Sequence, residues 1–263
     1  MTVGWARFAA AALALAAPAA AAEDPYLPAR LEMVRVVEEI AAGVGGGDVP
    51  RVLDPRVLDA MRAVPRHEFV PTPERAHAYD DRPLPIGHGQ TISQPYIVAL
   101  MTDLLAVEPG DAVFELGTGS GYQAAVLAEL GARVHTVEIV APLAAAAAER
   151  LARLGYGGVA ARAGDGYDGW PEHAPFDGIV VTAGADTIPP PLIEQLKPGG
   201  RMVIPVGRGV FGQDLTLVEK SASGEISKRV VLPVAFVPFM GEHGKGRSRS
   251  VRKRRTRQKS GDA

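Results

Sequence analysis

The segment Glu115-Leu116-Gly117-Thr118-Gly119-Ser120-Gly121 sets three glycines at alternate positions directly behind the apolar run Val113-Phe114. Glycines so spaced let a chain leave a buried strand, turn sharply and approach a ligand without Cβ clashes. A helix opening after Gly121 would point its free N–H groups at that ligand. Two further carboxylates fall in comparable places. Glu138 closes the stretch Val134-His135-Thr136-Val137, and an acid at a strand end accepts ribose hydroxyls and repels a 2′-phosphate. Asp165 stands between Gly164 and Gly166, where a carboxylate can reach an adenine amino group at little steric cost. Glu115 would repel a pyrophosphate beside the loop but suits an ammonium group. The chemistry these residues fit is the binding of a nucleoside that carries a positive charge.

The G-x-G-x-G spacing with its leading acid differs from the dinucleotide pattern G-x-G-x-x-G. It resembles the S-adenosylmethionine site of class I methyltransferases, so Glu115, Gly117, Thr118, Gly119, Ser120, Gly121, Glu138, Asp165 and Gly166 are the expected cofactor-binding residues. The sulfonium is already an activated leaving group, so such an enzyme mainly positions a nucleophile. The chain has no cysteine, which disfavours methylation of a pyrimidine carbon and excludes disulfides and thiolate metal sites. The expected fourth strand runs into Thr182-Ala183-Gly184-Ala185-Asp186, unlike the Asn/Asp-Pro-Pro-aromatic segment typical of adenine amino-group methylation. A carboxylate acceptor fits better, because it is ionised at pH 7 and needs no general base. The six histidines are scattered, and no metal site is expected.

Donors for a carboxylate lie in Gly87-His88-Gly89-Gln90-Thr91-Ile92-Ser93-Gln94-Pro95. With the wider segment Pro83 through Pro95 the chain resembles the protein-L-isoaspartate (D-aspartate) O-methyltransferase family. The other matching segments are Glu115 through Gln123, Gly164-Asp165-Gly166, Pro175-Phe176-Asp177, Leu196-Lys197-Pro198-Gly199-Gly200 and Val237-Pro238. The resemblance covers about residues 30–241. It implies methylation of the α-carboxyl group of L-isoaspartyl and D-aspartyl residues in damaged proteins, whose esters close to a succinimide and reopen partly as aspartate. Ser93 matches the family's active-site serine. It reads as a hydroxyl donor orienting the substrate, since no His/Asp relay accompanies it, and as an N-cap of the following helix. Thr91 offers a second hydroxyl; His88 either donates or only packs its loop. The competing enzyme reading is a methyltransferase acting on another carboxylate or a small molecule. A binding protein working through its basic tail is a third.

The elements that must position these residues follow from periodicity. The chain is long enough for one large α/β domain or two small ones. Apolar spacing predicts helices over 30–42 and from Pro55, where Asp54 caps, and a helix from Pro95 to Leu105. Residues 79–90 lack a period and read as a loop. From Ala112, strands over 112–116, 133–137, 158–162, 177–182, 201–205, 214–219 and 229–237 alternate with helices over 120–130, 141–154 and 190–196. The expected fold class is α/β: a doubly wound, mostly parallel, seven-stranded Rossmann-like methyltransferase sheet with an N-terminal helical extension. Its last two strands would form an antiparallel hairpin at the edge, and the site would lie at the strand C-termini.

Four regions result: a signal-peptide-like 1–22, a helical and substrate-loop region 23–110, a cofactor-binding core 111–241 and a basic tail 242–263. The first holds Arg7, an apolar run and Ala20-Ala21-Ala22 before Glu23, the layout of a secretory leader. It points to the periplasm or secretion, whereas the family is ordinarily cytoplasmic. Residues 244–263 hold nine Lys/Arg and one acid. A solvated, disordered tail in weak contact with anionic surfaces is expected, on a chain acting as a monomer.

Overall fold

The structure, a computed structural model, describes residues 24–209 and 212–241. The expected leader over 1–22 and the basic tail over 242–263 lie outside the described residues. Helix α1 (Leu27–Val44) buries Met33, Val34, Val37 and Ala41 against α2 (Pro55–Ala63) and against α3 further along the chain (Pro95–Leu105). Helix α2 starts as its sequence dictates: Pro55 holds the first position and the Asp54 carboxylate accepts the Arg56 N–H at 2.8 Å.

Residues 79–90 are not only a loop. Strand β1 (Leu84–Gly87) pairs antiparallel with β2 (Gln90–Ile92). Pro85 gives no periodic signal, yet a two-stranded ribbon tolerates it because each strand is an edge. Helix α3 is also capped otherwise than expected. The residue at its N-cap is Gln94, with no cap bond of its own. Asp81 reaches across instead, accepting the Tyr96 N–H at 2.8 Å and the Gln94 side-chain amide at 2.6 Å. Ser93 is therefore released from capping.

The chain then forms β3 (Ala112–Leu116), α4 (Tyr122–Glu129), β4 (Arg133–Glu138), α5 (Ala141–Arg153), β5 (Ala160–Ala163), β6 (Phe176–Val181), α6 (Pro190–Gln195), β7 (Leu196–Gly207), β8 (Gln213–Lys220) and β9 (Ile226–Val234). The seven strands from β3 onward make one sheet in the order β5-β4-β3-β6-β7-β8-β9. The first five in that order run parallel; β8 and β9 are antiparallel additions. Strand β7 begins ahead of the expected 201–205 and takes in residues 196–200. Leu196 pairs with Phe176 and Arg201 with Gly178, so the extra residues form an irregularity inside the strand.

Strand β3 is buried at every residue, as a central parallel strand must be. Val113, Val180, Val203, Leu215 and Leu217 face a core shared with α1 through α4. Ala112, Phe114, Ile179, Met202 and Ile204 face the other way, toward Leu192 of α6. From β3 the chain winds outward to β4 and β5, then returns to β6 on the other side. The crevice between the C-terminal ends of β3 and β6 is thus the topological switch point, where open α/β sheets bind ligands.

Candidate active site

The glycine loop leaves β3 at this crevice and is pinned from three directions. The Gly117 N–H donates to the Val137 carbonyl at 2.8 Å, and Thr118 Oγ1 lies 2.6 Å from Thr136 Oγ1. The Gly119 N–H donates to Glu138 Oε2 at 2.8 Å, while the Val140 N–H donates to Oε1 at 2.8 Å. Glu138 thus holds the loop against the end of β4. Each of its oxygens keeps a lone pair for a ligand hydroxyl. The third anchor is Thr182, just past β6, whose hydroxyl lies 2.6 Å from the Gly117 carbonyl and 3.0 Å from that of Leu116. Gly117 has φ +96°, and a Cβ there would run into Thr182 Oγ1. Only glycine meets both demands.

Glu115 is fully buried, and neither carboxylate oxygen has a hydrogen-bond partner. Burial pushes its pKa up to about 8; the Thr136 hydroxyl opposes this and the neighbouring Glu138 charge adds to it. A neutral Glu115 in the unliganded protein is what burial requires. Its orphaned carboxyl group, at the lining of a cleft, is left to meet a group on a ligand.

Thr91, Ser93, Glu115, Gly117, Thr118, Gly119, Ser120, Glu138 and Gly166 all line one cleft. The remaining expected residues sit elsewhere. Gly121, φ +89°, is the turn into α4 behind the cleft wall. His88 is exposed in the turn between β1 and β2 with φ +53°, and it is not among the cleft's lining residues. The Asp165 carboxylate accepts the Tyr167 N–H at 3.0 Å and packs against Gly241, while its neighbour Gly166 faces the cleft.

A second cavity of about 630 Å³ adjoins the first and is mostly apolar, with Ile40, Val44, Tyr96, Ile97, Leu232 and Phe236 among its lining. Thr91, Ser93, Thr182 and Val237 line both cavities. Two hydroxyl-bearing residues of the β2–α3 segment therefore stand at the joint between a carboxylate-bearing cleft and a mostly apolar groove. Among the described residues no cluster of three His, Asp or Glu side chains could hold a metal ion.

Sequence reasoning gave no role to several lining residues. Thr182 faces the cleft because β6 ends there. Val237 and Pro238 reach it because the chain after β9 doubles back: the Gly184 N–H donates to Val237 O and the Phe239 N–H to Gly184 O, each at 2.9 Å. Ile40 and Val44 come from α1, some 50 residues ahead of Ser93. Val237-Pro238 matches the family pattern without a role attached to it, and Thr182, Ile40 and Val44 carry no motif; only the folded chain brings them to the cleft.

The sequence pattern of the protein-L-isoaspartate(D-aspartate) O-methyltransferase family matches residues 49–244. Protein-L-isoaspartate O-methyltransferase 1 of Cupriavidus necator is 60% identical over 235 residues, covering 89% of this chain and 91% of that protein. Protein-L-isoaspartate O-methyltransferase 2 of Syntrophobacter fumaroxidans is 62% identical over 223 residues, covering 85% and 90%. A solved protein-L-isoaspartate O-methyltransferase shares 28% identity at a TM-score of 0.71, over 82% of this chain and 67% of the other. A Plasmodium falciparum protein solved with S-adenosyl-L-homocysteine has the same fold at 24% identity and a TM-score of 0.67, over 80% and 98%. With the motif pattern, the sheet order and these relatives in agreement, the chain belongs to the protein-L-isoaspartate(D-aspartate) O-methyltransferase family.

Proposed function

We propose that the chain transfers a methyl group from S-adenosylmethionine to the α-carboxyl group of L-isoaspartyl and D-aspartyl residues in damaged proteins. The observation that carries this reading is the joint at Thr91 and Ser93, which the donor cleft and the apolar groove share. The groove suits a peptide, and the hydroxyls suit a carboxylate presented from it. When bound, the cofactor supplies an electrophilic methyl group on a sulfonium. Glu115 would face its ammonium group, Glu138 its ribose hydroxyls, and the loop from Gly117 to Ser120 would pack against it. The fit rests on the orphaned carboxyl of Glu115 and on the strand-end position of Glu138. The substrate carboxylate is its own nucleophile, so Ser93 and Thr91 need only donate hydrogen bonds that aim one oxygen at the methyl group.

The methyl ester, once formed, has a better leaving group than the acid. The neighbouring backbone amide nitrogen then attacks the ester carbonyl, expels methanol and closes a succinimide, which water reopens partly to normal aspartate. Chromatography of an isoaspartyl peptide incubated with the enzyme and cofactor tests this. The reading expects the isoaspartyl peak to fall while succinimide and then aspartyl peaks rise. An unchanged peptide, with turnover on some other carboxylate or small molecule, favours the alternative acceptor.

Export belongs to the same proposal and is supported by the layout of residues 1–22. N-terminal sequencing from fractionated cells should find Glu23 first, outside the cytoplasm; an intact leader in the cytosol contradicts it. The tail over 242–263 is proposed as a weakly adhesive segment on a monomeric core of 111–241 with its N-terminal region 23–110. Light scattering and salt-dependent gel shifts of full-length and truncated chains test both statements.

A further inference from the structure

Arg66 lies in a short 3-10 turn, Arg66–Phe69, in a stretch where the sequence offers no motif. It is fully buried, and no ion pair to it is present among the described residues. A buried guanidinium without a carboxylate partner is costly, so its contacts indicate what the fold gains from it. Arg66 Nε donates to the Ala78 carbonyl at 2.8 Å, and Nη2 donates to the Ser93 carbonyl at 2.7 Å. Its planar group lies over the Tyr122 ring, 4.7 Å from the centroid. Tyr122 is the first residue of α4, directly behind the glycine loop, and it lines the donor cleft. The ring is itself buried and braced edge-on by Phe69 at 5.5 Å.

These contacts tie parts of the chain that share no secondary structure. One arm of the guanidinium holds the backbone of Ser93; its face rests on the residue that ends the donor loop. From the other side Asp81 holds Gln94 and Tyr96. The segment Ser93-Gln94-Pro95 is therefore gripped at both ends, with Arg66 fixing the end that bears the hydroxyl. A lysine has a single donor head and cannot repeat two bonds in one plane while stacking on a ring.

We propose that Arg66 is a positioning residue for the methyl transfer: it sets the backbone of Ser93 against Tyr122, and so fixes where the Ser93 hydroxyl stands relative to the donor cleft. This rests on the reading of Ser93 as the group that orients the acceptor carboxylate.

The test is a double-mutant cycle on the full chain, using Arg66→Lys, Arg66→Gln, Ser93→Ala and the combined variants. Cofactor affinity is read by calorimetry, and kcat and KM with an isoaspartyl peptide. Each Arg66 variant should lose between about ten- and a hundredfold in kcat, as misplacement of a reacting group does, with cofactor affinity within about threefold of the parent chain. In the Ser93→Ala background the same changes should cost less than about twofold, because no hydroxyl remains to be misplaced. An equal loss in both backgrounds overturns the proposal. So does loss of cofactor binding or of the folded state in both Arg66 variants, which would make Arg66 a general core residue. A parent enzyme that ignores isoaspartyl peptides defeats the substrate reading alone, since the cycle can be read with any carboxylate the enzyme methylates.

Discussion

The Thr182 hydroxyl sits 2.6 Å from the Gly117 carbonyl, joining the end of β6 to the loop that leaves β3. This bond spans the crevice at the switch point of the sheet. Thr182 also lines both cavities, so the residue that steadies the donor loop is also part of the wall against which an acceptor would lie.

Replacing Thr182 by valine keeps the bulk beside Gly117 and removes the hydroxyl. A buried acceptor losing its partner costs about 1–3 kcal/mol, and that cost falls on the loop geometry. Thr182→Val should weaken cofactor binding roughly tenfold, with a smaller effect on the KM for peptide. Calorimetry with the cofactor and initial rates with the peptide separate the two.

Glu138 accepts backbone N–H groups through both oxygens, and an amide cannot. In Glu138→Gln one of the two N–H groups would face an NH2 donor. The variant should lose cofactor affinity by about ten- to a hundredfold, from the lost loop anchor and the lost ribose acceptor together. Equilibrium dialysis with labelled cofactor measures this.

Ser93 and Asp81 separate chemistry from capping. Asp81 caps α3, so Asp81→Ala should cost about 1 kcal/mol and lower the melting temperature by about 2–4 °C. Ser93 has no capping bond to lose. Ser93→Ala should leave the melting temperature unchanged and cofactor binding intact, with slower turnover. Thermal scans beside steady-state rates check both variants.

A Glu115 that meets the cofactor's ammonium group would link cofactor binding to protons. Burial holds its pKa at about 8, above the ordinary 4.5, so the unliganded fold keeps a proton that the unfolded chain loses. That contribution to stability is complete below about 4.5 and is lost as the pH rises through about 8. A bound ammonium group favours the charged carboxylate and pulls the pKa back down. Cofactor binding at pH 7 should therefore release up to about one proton, falling toward none above pH 9. Calorimetry in buffers of different ionisation enthalpy counts the protons, and Glu115→Gln should abolish the release.

The sheet was legible in the sequence because each buried strand is a short apolar run closed by a turn, and helical spacing fills the gaps between them. The cleft wall was legible for the same reason, since Gly117 through Ser120 and Glu138 sit at strand ends and all line it. The hairpin of β1 and β2 escaped because Pro85, Gly87 and Gly89 leave no alternation to read. Capping misled at Ser93, where the local rule favours a serine next to Gln94-Pro95 but a carboxylate 15 residues away from Tyr96 supplies the bond. The burial of Arg66 was illegible: an arginine in a proline-flanked turn normally faces water, and only the packing of Tyr122 and the Ser93 backbone around it shows otherwise.

The most direct measurement is methyl incorporation into two synthetic peptides that differ only in one isoaspartyl-for-aspartyl linkage, each offered with labelled S-adenosylmethionine. Label should enter the isoaspartyl peptide, removable by mild base as an ester is, with only background in its aspartyl twin. Equal labelling of the two peptides, or labelling of neither by an enzyme that still binds the cofactor, would contradict the proposed substrate.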